Sequence, residues 1–218
     1  CLVSGSDVEN GILNSPKKPS AVYITSPDYL GNVSNVEEIS VVCKKYNVPL
    51  LVDNVHGAYL RFLSPSLHPV DLGADMCCDS AHKTLPCLTG GAYLHVSKNA
   101  NGYFKQNVKE ALSVFASTSP SYLILQSLDE TNKYLSEAYE KKLSETVSNV
   151  ERLKKSLGNM GLKLSGNEPL KLTVAPKSFG YTGRELCDIL ESKNITCEFS
   201  DMDFLVLMFT PEIDNDDF

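Results

Sequence analysis

The sequence contains no uninterrupted apolar stretch long enough to span a bilayer, which takes about 20 residues as a helix. No signal peptide opens it. Both absences set the expectation of a cytoplasmic protein with no membrane partner. Positive charge is also scarce: Lys and Arg number 20 against 27 Asp and Glu, a net charge of −7. The basic face that a general nucleic-acid binder needs is therefore not expected. No His-Glu-x-x-His or other metal-ligand pattern occurs, no Gly-x-Gly-x-x-Gly follows a strand, and there is no Walker loop and no Gly-x-Ser-x-Gly. Motif-level grounds for a metal site, a nucleotide site or a nucleophile elbow are thus missing. The seven cysteines, Cys1, Cys43, Cys77, Cys78, Cys87, Cys187 and Cys197, form no Cys-x-x-Cys pair. Their odd number and mostly apolar settings fit reduced, buried thiols.

What is present is a length of 218 residues and a hydrophobic content of 42%, enough for a sizeable core. Residues 1–20 are polar and turn-rich, and Pro16 and Pro19 argue against a regular element there. Residues 21–25 read as a short buried strand stopped by Ser26-Pro27. A helix is expected from about Val36 to Tyr46, with Ser34 and Glu37 at capping-box spacing. Residues 49–53 form a second apolar run, ending in Asp53, and strand–helix–strand at this spacing is a βαβ unit. Residues 75–79 and 92–96 supply two further strands. Strands without polar alternation belong to a mostly parallel sheet covered on both faces. Adjacent Cys77 and Cys78 then point to opposite faces.

From about 123 to 157 the period becomes helical, with Leu135, Tyr139, Leu143, Val147, Val150, Leu153 and Leu157 on one stripe and a break near Asn132. Beyond it, residues 170–174 alternate like a half-exposed strand. Thr182 opens a helix to about Lys193, and residues 195–199 and 204–209 are strands. The expected fold class is α/β, followed by part of a small α+β domain. The expected division is a large-domain portion over 1–125, a connecting helix over 126–160 and the start of the small domain over 161–218. The acidic residues Asp201, Asp203 and 214–217 read as solvated.

In a parallel α/β sheet, ligands bind beyond the carboxyl ends of the strands. Asp53 ends one strand, and Ser80, His82 and Lys83 follow the end of another. A pyridoxal cofactor needs such a set. A lysine amine holds its aldehyde as an imine, and a carboxylate keeps its ring nitrogen protonated. Hydroxyls and backbone N–H groups hold its phosphate. Each residue alone has a plainer reading: Asp53 as a loop cap, His56 as a packing residue, Lys83 as a surface lysine. His68 and His95 show no partner pattern and read as structural. The combination at these strand ends favours the cofactor.

The segments Val52-Asp53-Asn54-Val55-His56-Gly57-Ala58, His68-Pro69, Gly73-Ala74-Asp75 and Asp79-Ser80-Ala81-His82-Lys83-Thr84-Leu85 closely resemble the ornithine/lysine/arginine decarboxylase family. These are fold type I pyridoxal-phosphate enzymes of the aspartate aminotransferase superfamily. The match is good over about residues 21–125. The resemblance implies a pyridoxal-phosphate-dependent decarboxylation of arginine, lysine or ornithine to a polyamine or its precursor. It implies Lys83 as the amine on the cofactor, Asp53 at the pyridine nitrogen, Val55 against the ring face and His56 close by. Ser80 and His82 would lie near the phosphate or the imine, with Lys83 or His82 as proton donor. Thr118 and Ser119 would reach the cofactor of a neighbouring subunit, since the family forms homodimers or larger assemblies.

Two departures stand out. Val55 replaces a usual alanine, and Asn54 a frequent glutamate. The 52 residues before Asp53 hold neither a Gly/Ser/Thr phosphate loop nor a ring to stack on the pyridine. The chain is thus expected to be a fragment of a longer protein. The other readings are an aminotransferase or lyase of the same superfamily, and a catalytically silent homologue that regulates a partner.

Overall fold

Short apolar runs become the strands of the first sheet, and two of them, ending at Asp53 and Asp79, close on an acid. The computed structural model describes residues 2–137, 139–214 and 218. Cys1 and residues 215–217, with most of the terminal acidic run, lie outside the described residues. The chain divides into two compact units. One runs to Pro27 and resumes from Ser34 to Glu137; the other combines Asp28–Val33 with the chain after Glu137.

In the first unit, β1 (Val22–Thr25), β2 (Leu50–Asp53), β3 (Met76–Asp79) and β4 (Tyr93–Val96) form one sheet in that order. β1, β2 and β3 are parallel, and β4 returns antiparallel to β3. The expected mostly parallel α/β sheet is therefore present. The register aligns Thr25 with Asp53, Asp53 with Cys78, and Asp79 with Tyr93. Three strand ends and the start of β4 meet on one rim.

The core of this unit lies between the sheet and α2 (Val36–Lys45): Val36, Ile39, Cys43, Leu50, Val52, Ala74 and Cys77 are buried in one cluster. α2 is anchored electrostatically as well, with Glu37 and Glu38 in its first turn and Lys44 and Lys45 in its last. Its cap is Asn35, whose Oδ1 accepts from the Glu38 N–H at 3.1 Å. The expected cap, Ser34, is buried instead and gives its N–H to the Ser26 hydroxyl at 3.0 Å.

The prolines at 16 and 19 do not keep helix out of the N-terminal segment. α1 spans Gly5–Leu13 and ends before them. Ser4 and Asp7 form its capping box, with the Ser4 N–H on Asp7 Oδ2 at 2.9 Å and the Asp7 N–H on Ser4 Oγ at 3.2 Å. α3 (Ala81–Thr84) follows β3 directly, and α4 (Gly102–Phe115) and α5 (Tyr122–Glu137) complete the unit. The helix does not break near Asn132. Thr131 is buried and donates to the carbonyls of Pro86 at 2.8 Å and Ser127 at 2.7 Å, and Asn132 accepts from the Tyr93 hydroxyl at 3.2 Å. Tertiary and backbone partners thus satisfy these polar side chains within an unbroken helix.

In the second unit, α6 (Tyr139–Asn159) precedes an antiparallel sheet ordered β5 (Lys163–Ser165), β6 (Lys171–Ala175), β8 (Leu205–Met208) and β7 (Phe199–Ser200). α7 (Gly183–Glu191) opens with a Thr182–Glu185 capping box. β6 is not half-exposed: Lys171 to Val174 are all buried. Residues 28–33 account for this, since Thr173 Oγ1 donates to the Leu30 carbonyl at 2.8 Å and Lys171 Nζ to that of Asp28 at 3.3 Å. The expected strand over 195–199 shrinks to the two residues of β7. Among the described residues no helix is long and apolar enough to cross a membrane.

Ile39 has no exposed surface and sits where α2 meets the sheet. Ile39→Ala is expected to cost about 2–5 kcal/mol, read as a lower denaturant midpoint at unchanged slope. An unchanged midpoint would show that this contact does not hold the unit together.

Candidate functional site

Two clusters form where the parallel strands end. The first begins at Asp53, the last residue of β2. Its Oδ2 accepts from the Tyr23 hydroxyl at 3.1 Å, and its Oδ1 from the Cys78 thiol at 3.7 Å. Strand pleating puts Tyr23, Asp53 and Cys78 on one sheet face. Partial burial, then the hydrogen bond to Asp53, push the Tyr23 phenol upward, so it stays a donor to this carboxylate at neutral pH. Burial, then the Asp53 charge, push the Cys78 thiol upward in the same way. Asp53 is thus a fixed, half-buried acceptor.

The chain turns after Asp53. The Asn54 N–H bonds the Cys78 carbonyl at 2.9 Å, and the Gly57 N–H bonds that of Asn54 at 2.8 Å. A side chain at Gly57 would start 2.0 Å from Asn54 Oδ1 and 2.8 Å from Leu60 Cδ1, so any larger residue would displace the Asn54 amide and the Leu60 side chain. The turn buries His56. α3 brings Lys83 to it, with Nζ donating to His56 Nε2 at 3.5 Å. His82 is oriented by Nδ1, which donates to the Gly91 carbonyl at 2.9 Å. Ser80 occupies the cap position of α3 without a side-chain capping bond, and the Thr84 hydroxyl oxygen is buried with no hydrogen-bond partner.

The structure thus brings Lys83 and His56 together and sets Asp53, Val55, Ser80 and His82 on the adjoining strand end, turn and short helix. Thr118 and Ser119 stand apart, exposed on the connection from α4 to α5. An amine, a fixed carboxylate and unengaged hydroxyls at one rim match the aldehyde, ring nitrogen and phosphate of a pyridoxal cofactor in chemical kind.

The second cluster was hidden in the sequence. Asp79 is buried at the end of β3, and its Oδ2 accepts from His68 Nε2 at 3.1 Å and His95 Nε2 at 3.0 Å. Its Oδ1 accepts from Asn54 Nδ2 at 2.7 Å. Burial alone would raise the Asp79 carboxyl, but the bonds from His68, His95 and Asn54 prevail and hold it well below the usual carboxylate range. Burial, then the Asp79 charge, push the neighbouring Cys77 thiol upward. One signal for this cluster was available. β4 pairs Cys77 with His95 and Asp79 with Tyr93, so these four side chains share a face once the antiparallel register is known.

Solved structures give the class. Serine palmitoyltransferase of Sphingomonas wittichii superposes with a TM-score of 0.77 at 16% identity, over 98% of this chain and 55% of that one. The constitutive lysine decarboxylase of E. coli superposes at 0.71 and 15% identity, over 98% of this chain and 37% of that one. The fold is that of the fold type I pyridoxal-phosphate enzymes.

Sequence comparison gives the family. Residues 6–173 match the Orn/Lys/Arg decarboxylase major domain, and the chain belongs to that family, whose cofactor is pyridoxal phosphate. The uncharacterized protein YaaO of Bacillus subtilis is 35% identical over 195 residues, 85% of this chain and 40% of that protein. The arginine decarboxylase of the same organism is 31% identical over 202 residues, 86% of this chain and 41% of that enzyme. The chain spans about two fifths of the length of these relatives.

The lowered Asp79 carboxyl has a consequence for stability. Its folded-state value lies below its unfolded one, so it contributes stability above about pH 4, the unfolded carboxyl range. That contribution is lost as pH falls toward the folded value. Asp79→Asn is expected to lower stability at pH 7 and to flatten its decline between about pH 5 and 3. Denaturant midpoints across that range check this; parallel curves for the two proteins would contradict it.

Proposed function

We propose that this chain carries the lysine-bearing part of a pyridoxal-phosphate-dependent decarboxylase acting on arginine, lysine or ornithine, and that the product is a polyamine or its precursor. The observation that carries the reading is the approach of Lys83 Nζ to His56 Nε2 at 3.5 Å, beside Asp53, in a chain of this family. When bound, pyridoxal phosphate supplies an aldehyde that captures amines and a ring that accepts the electron pair left by departing CO₂.

Lys83 is the amine that holds the aldehyde, with His56 accepting from its Nζ and aiming it. Asp53 keeps a proton on the ring nitrogen. Its two oxygens are already set by Tyr23 and Cys78, so the carboxylate needs no reorganisation to meet that charge. Val55 supplies an apolar surface to the ring. Ser80 and His82 would hold the phosphate end, and Lys83 or His82 would return a proton to the substrate carbon. The reaction belongs in the cytoplasm, where the six described cysteines remain the free thiols they are here.

A homodimer completes the proposal. Val114 and Phe115 at the end of α4 are 70% and 90% exposed, and Tyr122 and Leu123 at the start of α5 are 86% and 68% exposed. They flank Thr118 and Ser119. An apolar patch of this kind fits a subunit contact, and a second copy seated there would receive Thr118 and Ser119 at its cofactor.

Incubation with pyridoxal phosphate followed by borohydride should fix one pyridoxyl group on the peptide containing Lys83. Lys83→Ala, with an unchanged circular dichroism spectrum, should take up none at that peptide. Labelling spread over surface lysines in both proteins would sink the assignment. Release of CO₂ rather than a keto acid from the basic amino acid separates decarboxylation from transamination. Phe115→Asp is expected to shift sedimentation toward the monomer, and an unshifted profile would remove this face from the interface.

A further inference from the structure

We propose that His68, Asp79 and His95 form a binding site for one divalent first-row transition metal ion, with Zn²⁺ as the reference ion. Each of the three residues offers one donor atom, and these lie within 4.8 Å of one another. Each Nε2 is 3.0 or 3.1 Å from the carboxylate oxygen. Ligands at ~2.0–2.1 Å from a tetrahedral zinc stand ~3.3 Å apart. The two edges from the carboxylate oxygen to the imidazoles are thus within a few tenths of an ångström of those an ion requires, and the ion would set the third edge, between the imidazoles.

The aim of the donors is set by the scaffold. Asp79 ends β3, His95 is on β4 in register beside it, and His68 comes from the turn ahead of β3. The two imidazole rings stand edge to face, with centroids 5.2 Å apart and planes at 87°. Both rings thereby turn Nε2 to the same oxygen.

The surroundings are those of a metal ligand set. Asn54 Nδ2 occupies Asp79 Oδ1 at 2.7 Å and leaves Oδ2 to the ion, an outer hydrogen bond of the kind that orients carboxylate ligands. Cys77 Sγ is 3.7 Å from His68 Nε2 and 3.9 Å from Asp79 Oδ1. Two imidazoles with a thiol nearby suit zinc or its neighbours, whereas magnesium and calcium prefer oxygen shells. Binding needs a tautomer change: each Nε2 gives up its proton and Nδ1 takes one. In His68 that Nδ1 is buried with no hydrogen-bond partner, so its new N–H would lack the outer acceptor a ligating imidazole usually has, a cost that the metal bond must offset.

There is also an entry path and room for an open coordination position. A cavity of about 220 Å³ is lined by these three residues with Arg61, Asp71 and Tyr93 among others. The His95 side chain is 39% exposed, while those of His68 and Asp79 are 4% exposed. The site uses none of the residues assigned to the pyridoxal cofactor and does not depend on the proposed activity.

The test is a calorimetric titration of the EDTA-stripped protein, free of pyridoxal phosphate, with ZnCl₂. A parallel titration with CoCl₂ reads the visible absorption of the bound ion. One ion per chain is expected, with a rise in melting temperature. His95→Gln, a change at a half-exposed strand position, should weaken binding at least ~10-fold and remove the cobalt spectrum while circular dichroism is retained. His68→Gln should do the same if it folds. No saturable binding by the unmodified protein would overturn the site and leave a hydrogen-bonded cluster. Undiminished binding by His95→Gln would place the ion elsewhere and overturn it equally.

Discussion

The carboxylate of Asp79 is the fixed point of the first unit. It receives Asn54 on one oxygen and His68 and His95 on the other, while its own backbone ends β3. Four pieces of chain that share no local sequence are thereby tied to one buried charge. An ionised carboxylate this far from water is tolerable only with its lone pairs engaged, and three donors meet that condition. The arrangement runs directly into the chemistry. Asn54 is the residue after Asp53, and Ser80 is the residue after Asp79. The turn carrying His56 and the short helix carrying Lys83 therefore both start from residues this carboxylate holds.

Strand ends were legible because a parallel, doubly covered strand leaves a continuous apolar run, and the runs at 50–53 and 76–79 each close on an acid. Asp53 and Lys83 could be placed on the rim from that alone, since rim position follows from topology, whereas His56 was placed only by the family resemblance. The His68–Asp79–His95 cluster could not. His68 and His95 are 27 positions apart, and they meet only because β4 runs antiparallel to β3. Hydrophobic pattern does not reveal strand direction when both strands are short and largely apolar. α1 escaped for another reason. Its signal was local, Ser4 three residues before Asp7, but the prolines following it weighed more in a reading by composition than a cap does.

The second unit shows the same limit from the other side. Alternation over residues 170–174 suggested one wet face, because Lys171 and Thr173 are polar. Both are buried, and each polar group is matched: Lys171 Nζ lies 3.1 Å from Glu168 Oε2 and also donates to the Asp28 carbonyl, and Thr173 donates to that of Leu30. Residues 28–33 supply two of those acceptors from more than a hundred positions upstream. Period-2 alternation reports which side chains are polar, and it equates polar with exposed. That equation fails wherever a distant segment brings carbonyl groups to cover the polar face.

Side-chain alternation on β3 also separates the two clusters at the rim. Cys78 faces Asp53 and Tyr23, whereas Cys77 and Asp79 face His68 and His95. The carboxylate suited to a ring nitrogen and the carboxylate suited to a metal ion are therefore on opposite sides of one sheet end. Two negative charges on the same face would each disfavour the other's ionised form. Divided between the faces, each keeps its own donors. They remain coupled mechanically through the backbone from Asp53 to Asn54, whose side chain crosses to Asp79. Cys78 makes a second link, since it precedes Asp79 in the chain and gives its thiol to Asp53 Oδ1 at 3.7 Å, so a change in what Asp79 binds reaches Asp53 through both neighbours.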